Sequence, residues 1–91
     1  MAVKKKKLKV NSATGLHARS ARIIVDTLEP FEASVFIEND NVRADARSIL
    51  ELMMLAAAPG TELEAQADGP QAEAALEELE DLFNEGFREN V

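Results

Sequence analysis

Hydrophobic and polar residues alternate one by one in several stretches of the 91-residue chain. Leu8 and Val10 belong to the first such stretch, residues 31–38 form the second and residues 61–68 the third. This period of two is typical of strands with one buried face. The turn cluster at 39–41 predicts a hairpin over about residues 32–45, although its second strand is weakly patterned. The sequence therefore predicts four strands.

Between these strands the apolar residues recur at helical spacing. A first helix should begin near Ala18 and end before Pro30. A second, short helix should follow Ser48 as its N-terminal cap and end by Pro59. The clearest helix begins near Ala72, and its acidic face lies opposite an apolar stripe that contains Ala75, Leu76, Leu79, Leu82, Phe83 and Phe87.

The predicted order of elements is β-α-β-β-α-β-α. Because each strand has one apolar face, we expect a four-stranded antiparallel sheet with three helices on one face and water on the other, where Phe36 should point. This architecture is an α+β, two-layer sandwich. A length of 91 residues fits a single domain over residues 1–91.

The amino-acid composition excludes several kinds of functional site. The chain has no cysteine and one histidine, His17, which argues against disulfides, thiolate metal sites and histidine-rich metal clusters, so no metal or cofactor is expected. A net charge of −7 argues against nucleic-acid binding, and the basic stripe Lys4–Lys7 is more typical of a solvated strand. No apolar run is long enough to cross a bilayer and no signal-peptide segment is visible, so we expect a cytoplasmic protein without membrane insertion.

The stretch Gly15-Leu16-His17-Ala18-Arg19 is the strongest candidate for chemistry. If the first helix begins near Ala18, its first N–H groups lack intrahelical acceptors and the positive end of its dipole faces His17. A neutral imidazole is a nucleophile toward an activated phosphoryl group, which would meet the backbone N–H groups of Ala18, Arg19 and Ser20 and the Arg19 guanidinium. By spacing alone, a helix cap or a surface role is the commoner interpretation of such a histidine.

Ser48 and the residues after it form a second candidate site. The position of Ser48 favours a helix cap, and a regulatory phosphorylation site is the alternative. A short helix cannot bury all of its apolar residues, so some of Ile49, Leu50, Met53 and Met54 should be exposed and available to a partner. No paired-acid, serine-triad or P-loop pattern accompanies either candidate.

Three stretches of the chain carry a resemblance to a known family. The chain resembles the histidine-containing phosphocarrier (HPr) proteins of the bacterial phosphoenolpyruvate-dependent phosphotransferase system. The resemblance lies in Gly15-Leu16-His17-Ala18-Arg19, then Ala46-Arg47-Ser48-Ile49-Leu50-Glu51-Leu52-Met53 and Pro59-Gly60-Thr61. The resemblance covers nearly the whole chain. Residues 30–33 and the tail, including Leu82-Phe83-Asn84-Glu85-Gly86-Phe87, are more similar to the nitrogen-related, NPr-like branch. The family fold, an open-faced sandwich, agrees with the element order predicted from the hydrophobic pattern.

The resemblance implies a role for each candidate residue. His17 would accept a phosphoryl group on Nδ1 from phosphorylated enzyme I and pass it to a IIA-type acceptor, with Arg19 steadying the phosphate. The protein would be a carrier, not an enzyme, and a monomer is the simplest expectation. Ser48 matches the family's regulatory serine, which a kinase could modify. The residues that match the partner-docking patch are Ile49, Leu50, Met53 and Met54.

The chain departs from the family pattern at two places. Ser20 stands where the family usually has proline, and Asp45-Ala46-Arg47 stands where Asn-Ala-Lys is usual. These departures put the phosphate geometry and the kinase recognition of Ser48 in question. The competing class of function is a regulatory module that docks a partner stoichiometrically and is switched by phosphorylation at Ser48.

Overall fold

A computed structural model describes residues 3–88 of the chain. The termini at 1–2 and 89–91, which the single-domain prediction includes, lie outside the described residues. The predicted order of elements is confirmed: β1 (Lys4–Lys9), α1 (Ala18–Leu28), β2 (Ser34–Asn39), β3 (Val42–Asp45), α2 (Ile49–Met54), β4 (Glu62–Asp68) and α3 (Ala72–Asn84), followed by a 3₁₀ turn at Gly86–Arg88.

The four strands form one antiparallel sheet in the order β1-β4-β2-β3. The register aligns the apolar positions of neighbouring strands, since Leu8 lies opposite Leu63 while Ile37 lies opposite both Ala65 and Ala44. Because side chains alternate between faces, this register collects the buried residues on one side of the sheet. The last strand in the sequence, β4, therefore lies inside the sheet and pairs with both β1 and β2.

The helices cover that apolar face, as the pattern predicted. Helix α1 buries Ala21, Ile24 and Leu28 against it, and each large aliphatic side chain so buried contributes about 1.5–3 kcal/mol. Helix α3 buries the stripe Ala72, Ala75, Leu76, Leu79, Leu82 and Phe83. The opposite face of the sheet carries the half-buried Phe36, and the Arg43 guanidinium packs 4.2 Å from its ring centroid.

The hairpin begins later than predicted. Strand β2 starts at Ser34, and Phe31 and Ala33 do not belong to it. The carbonyl groups of Phe31 and Ala33 instead accept hydrogen bonds from the Arg47 guanidinium at 2.9 and 3.1 Å. An arginine distant in sequence therefore binds the main chain just before the strand begins.

The last helix is shorter than its stripe suggested. Helix α3 ends at Asn84, and Phe87 is reached through a left-handed turn in which Gly86, Phe87 and Arg88 have φ values of 61°, 62° and 58°. Phe87 is nevertheless fully buried, with its ring edge-to-face on Phe83 at a centroid distance of 4.7 Å. Burial of this aromatic side chain offsets the backbone strain.

Arg88 holds the same turn from the outside. Its guanidinium donates hydrogen bonds to Glu85 and Glu78 on the end of α3. The bonds to Glu85 and then Glu78 raise the pKa of Arg88 above its usual value. Within residues 3–88, no helix has both the length and the apolar character needed to cross a membrane.

Candidate functional site

The loop before α1 is held tightly against the segment that follows α2. The Leu16 N–H donates to the Ala57 carbonyl oxygen at 2.8 Å, and the Leu16 side chain is buried. Gly15 has a φ of +73°, and a Cβ atom built on it would lie 2.7 Å from the same Ala57 oxygen. Only glycine allows this conformation and this approach together, so Gly15 lets the next residues reach the start of α1.

His17 is the N-cap residue of α1, as the sequence predicted. Its backbone is extended, with φ −141° and ψ −172°, and its carbonyl accepts the first helical bond from the Ala21 N–H at 2.8 Å. The Arg19 N–H donates to Nδ1 of the imidazole at 3.3 Å, and the Ser20 N–H also donates to the His17 side chain. The ring therefore occupies the place where the helix would bind an anion.

The hydrogen bonds assign the tautomer of His17. Because Nδ1 accepts from Arg19, it carries a lone pair, and the neutral ring must hold its proton on Nε2. Nε2 lies 3.0 Å from Oγ1 of Thr14, which accepts this proton. The Thr14 hydroxyl in turn lies 3.1 Å from Oγ of Ser12, which also accepts the Thr14 N–H. Nδ1 is thus presented as the nucleophilic nitrogen.

An open pocket of about 530 Å³ surrounds the ring. Its lining consists of the loop residues Asn11, Ser12, Ala13 and Thr14 together with His17, Arg19 and Gly86. His17 is half-buried and Arg19 is exposed, so both side chains are in contact with solvent. Within residues 3–88, the Arg19 side chain makes no ion pair that would occupy its charge. The pocket combines a nucleophile, backbone donors and a cation.

Ser48 caps α2, also as predicted. Its Oγ accepts the Glu51 N–H at 3.2 Å. Of the apolar residues that follow, Leu50 is 72% exposed, Met54 64% and Met53 43%, whereas Ile49 is partly buried against the core. The docking patch hereafter means the three exposed residues Leu50, Met53 and Met54.

Sequence reasoning missed three residues of the site. Thr14 lies within hydrogen-bond distance of Nε2 of His17 and of Oγ of Ser12, and Gly86 lines the pocket from the far end of the chain. The spacing of Thr14 and His17, three residues apart before a helix, was a usable signal. Gly86 gave none, because only the fold brings it close to the loop.

The comparisons with known proteins identify the family of the chain. The model of the family described as "PTS HPr component phosphorylation site" matches residues 4–85. The chain is 38% identical over 87 residues to phosphocarrier protein NPr of Escherichia coli (strain K12), covering 94% of this chain and 97% of that protein. It is also 38% identical over 84 residues to phosphocarrier protein HPr of Treponema pallidum (strain Nichols), covering 92% and 96%.

Solved structures show the same architecture. HPr from Thermoanaerobacter tengcongensis superposes with a TM-score of 0.89 at 33% identity, over 97% of this chain and 99% of that one. HPr from Bacillus anthracis str. Ames gives 0.86 at 35% identity, over 91% and 99%. The family match and the fold together define a phosphocarrier of the phosphotransferase system. The chain belongs to the HPr family, and its match to NPr proteins is in line with the branch expected from residues 30–33 and the tail.

Proposed function

We propose that His17 is the phosphoryl acceptor of this carrier and that Nδ1 is the atom that receives the group. One observation carries the proposal: the Arg19 N–H at the start of α1 donates to Nδ1 at 3.3 Å, which keeps a lone pair on that nitrogen and places a helix N-terminus beside it. Nucleophilic catalysis by histidine needs this neutral, correctly oriented ring.

The transfer step requires no proton to leave the site. The Nδ1 lone pair forms a bond to phosphorus, the donor's bond to phosphorus breaks, and its electron pair remains with the donor. The ring then carries a positive charge, with its Nε2 proton still directed at Thr14. The backbone N–H groups of Arg19 and Ser20 lose the imidazole as an acceptor and become donors to the phosphoryl oxygens, as would Ala18 N–H. The Arg19 guanidinium adds a charge-assisted interaction.

We further propose that the protein is a carrier instead of a turnover enzyme. The family is one of phosphocarriers, and the contacts of the His17 ring with Thr14 Oγ1 and the Arg19 N–H hold the ring in place. The group would enter from phosphorylated enzyme I and leave to a IIA-type acceptor in the cytoplasm, with the protein acting as a monomer. The docking patch would seat these partners, because exposed methionine and leucine adapt to different surfaces.

Intact-mass analysis after incubation with phosphoenolpyruvate and enzyme I tests this function. The native chain should gain the mass of one phosphoryl group, the adduct should be acid-labile, and His17→Ala should gain none. The matched control is Arg22→Ala, an exposed residue one turn along the same helix, which should be labelled like the native chain. Absence of label on the native chain, with enzyme I active on another carrier, would reject the proposal.

The second candidate function is a regulatory module switched at Ser48. Its supporting observation is that Ser48 begins the short helix that carries the docking patch, so a phosphate there would alter a partner surface. Two carboxylates weigh against it: Asp45 accepts the Arg47 N–H at 2.9 Å, and Glu51 accepts the Asp45 N–H at 2.9 Å, which concentrates negative charge beside Ser48. A kinase that modifies Ser48 remains part of this proposal.

Ser48→Asp and Ser48→Ala distinguish the two functions. If the protein is a module switched at this site, Ser48→Asp should change partner capture by the docking patch while Ser48→Ala leaves it unchanged. If both variants capture partners equally, the switch at Ser48 is rejected. The proposal that the protein is a phosphocarrier does not depend on this result.

A further inference from the structure

Ser20 is a fully buried polar residue, and its hydroxyl makes two hydrogen bonds with the main chain of His17. Its Oγ accepts the His17 N–H at 2.8 Å and donates to the His17 carbonyl oxygen at 3.1 Å. One side chain therefore binds both polar groups of a single residue's main chain. We infer that Ser20 is a positioning residue for phosphoryl acceptance, which acts by fixing the backbone of His17.

The two hydrogen bonds from the Ser20 hydroxyl restrain both backbone torsions of His17. A bond to its N–H restrains φ at −141°, and a bond to its carbonyl restrains ψ at −172°. These torsions set the direction of the Cα–Cβ bond, from which the ring reaches Arg19 N–H and Thr14 Oγ1. The tautomer of His17 and the direction in which Nδ1 points thus depend on Ser20, although the Ser20 side chain does not touch Nδ1.

Burial makes this hydroxyl difficult to replace. Ser20 is 0% exposed, so water cannot readily take the place of Oγ when the hydroxyl is removed. The same burial distinguishes Ser20 from Ser48, since a kinase cannot reach a hydroxyl enclosed by the fold. A serine at this position therefore serves the site as a fixed constraint on His17.

The inference rests on the proposed function, and its test uses two independent readouts. The first is the ¹⁵N shifts of the two ring nitrogens of His17 in the unphosphorylated protein, which report the tautomer. The second is the rate of phosphorylation by phosphoramidate, a small donor that needs no docking. In that reaction the donor's P–N bond breaks, ammonia leaves with a proton from solvent, and a P–N bond forms at Nδ1.

Ser20→Ala should move the two ring shifts towards each other, as a mixture of tautomers does, and slow phosphorylation by about tenfold, the effect of one lost hydrogen bond. Ser20→Thr, which retains the hydroxyl, should restore most of both. Ile37→Val is the matched control: it destabilises the core of β2 far from the loop and should change neither readout. If Ser20→Ala does not fold, Ser20→Cys should show the same changes at smaller size.

The outcomes distinguish the positioning role of Ser20 from the proposed phosphocarrier function. Native ring shifts and a native rate in Ser20→Ala would overturn the inference. So would an equal slowing in Ile37→Val, because the effect would then be one of stability alone. If the native protein takes up no phosphoryl group from phosphoramidate or from enzyme I, the proposed function fails, while the ring shifts still decide whether Ser20 positions His17.

Discussion

The carbonyl oxygen of Ala57 lies 2.7 Å from the point where a Cβ atom on Gly15 would stand. The same oxygen accepts the N–H of Leu16 at 2.8 Å. Ala57 belongs to the segment that follows α2, so the loop that presents His17 rests directly on the chain leaving the helix that Ser48 caps. The two candidate sites of the protein share this backbone contact.

Gly15→Ala should therefore damage both stability and phosphoryl acceptance. A non-glycine residue at φ +73° costs about 1–3 kcal/mol, and the added Cβ must also displace Ala57. Gly60→Ala is the control, since Gly60 has φ +86° but nothing within 4 Å of its Cβ position. Urea unfolding should show a larger loss of unfolding free energy for Gly15→Ala. Equal losses in the two variants would mean that the approach to Ala57 is not a constraint.

Thr14→Val should redistribute the proton on the His17 ring. The variant keeps the shape of the side chain but removes the oxygen that accepts the Nε2 proton at 3.0 Å. A hydrogen bond of this kind contributes about 0.5–1.5 kcal/mol, so we expect roughly a 2- to 10-fold slower phosphoryl uptake. Ring ¹⁵N shifts and rapid-quench kinetics measure the two effects. Thr27→Val, the same change near the far end of α1 and away from the loop, should leave both at native values.

Arg19→Gln should weaken phosphoryl acceptance without unfolding the protein. The guanidinium lines the pocket and is exposed, and a hydrogen bond to a charged group contributes about 1.5–3 kcal/mol, or roughly 10- to 100-fold in rate. Arg19→Glu should be worse, because it brings a negative charge to the phosphate. Arg22→Gln removes the same charge from an arginine that pairs with Asp26, and its transfer rate should remain native. Native kinetics in Arg19→Glu would refute the role of Arg19.

Leu50→Ser should raise the KM for phosphorylated enzyme I by about tenfold with little change in kcat, as expected for an interface residue that contributes more than 1 kcal/mol to binding. Leu50 is 72% exposed, so the folded state loses little by the change. Val42→Ser, an exposed apolar position on β3, serves as the control. Unaltered steady-state kinetics in Leu50→Ser, with altered kinetics in Val42→Ser, would place the partner surface elsewhere.

Phe87→Ala should destabilise the fold by about 3–5 kcal/mol, the usual cost of removing a buried aromatic ring. The side chain is fully buried and packs edge-to-face on Phe83. Phe36→Ala, on the open face of the sheet, removes the same ring from a half-buried position and should cost less. Denaturant unfolding of the two variants measures both losses of unfolding free energy. A smaller loss for Phe87→Ala than for Phe36→Ala would show that the buried Phe87 ring stabilises the fold less than its packing indicates.

Local patterns were sufficient for most of the fold. The strands and helices follow from apolar periodicity, and the caps His17 and Ser48 follow from their positions before helical stripes. The boundaries that were wrong depend on distant groups. Arg47 binds the carbonyls of Phe31 and Ala33, the two residues that the pattern assigned to the strand and the structure leaves outside it.

For the site, the sequence by itself determined the residue types and their order: a glycine, a histidine and an arginine at the start of a helix, and a capping serine before an apolar segment. These are short-range features, because helix caps and turns depend on neighbouring residues. The three-dimensional structure was needed to show which nitrogen of His17 accepts the Arg19 N–H, how Ser20 binds the His17 backbone and that Gly86, from the far end of the chain, lines the same pocket. Such relationships depend on hydrogen-bond geometry and on chain segments that only the packed core brings together.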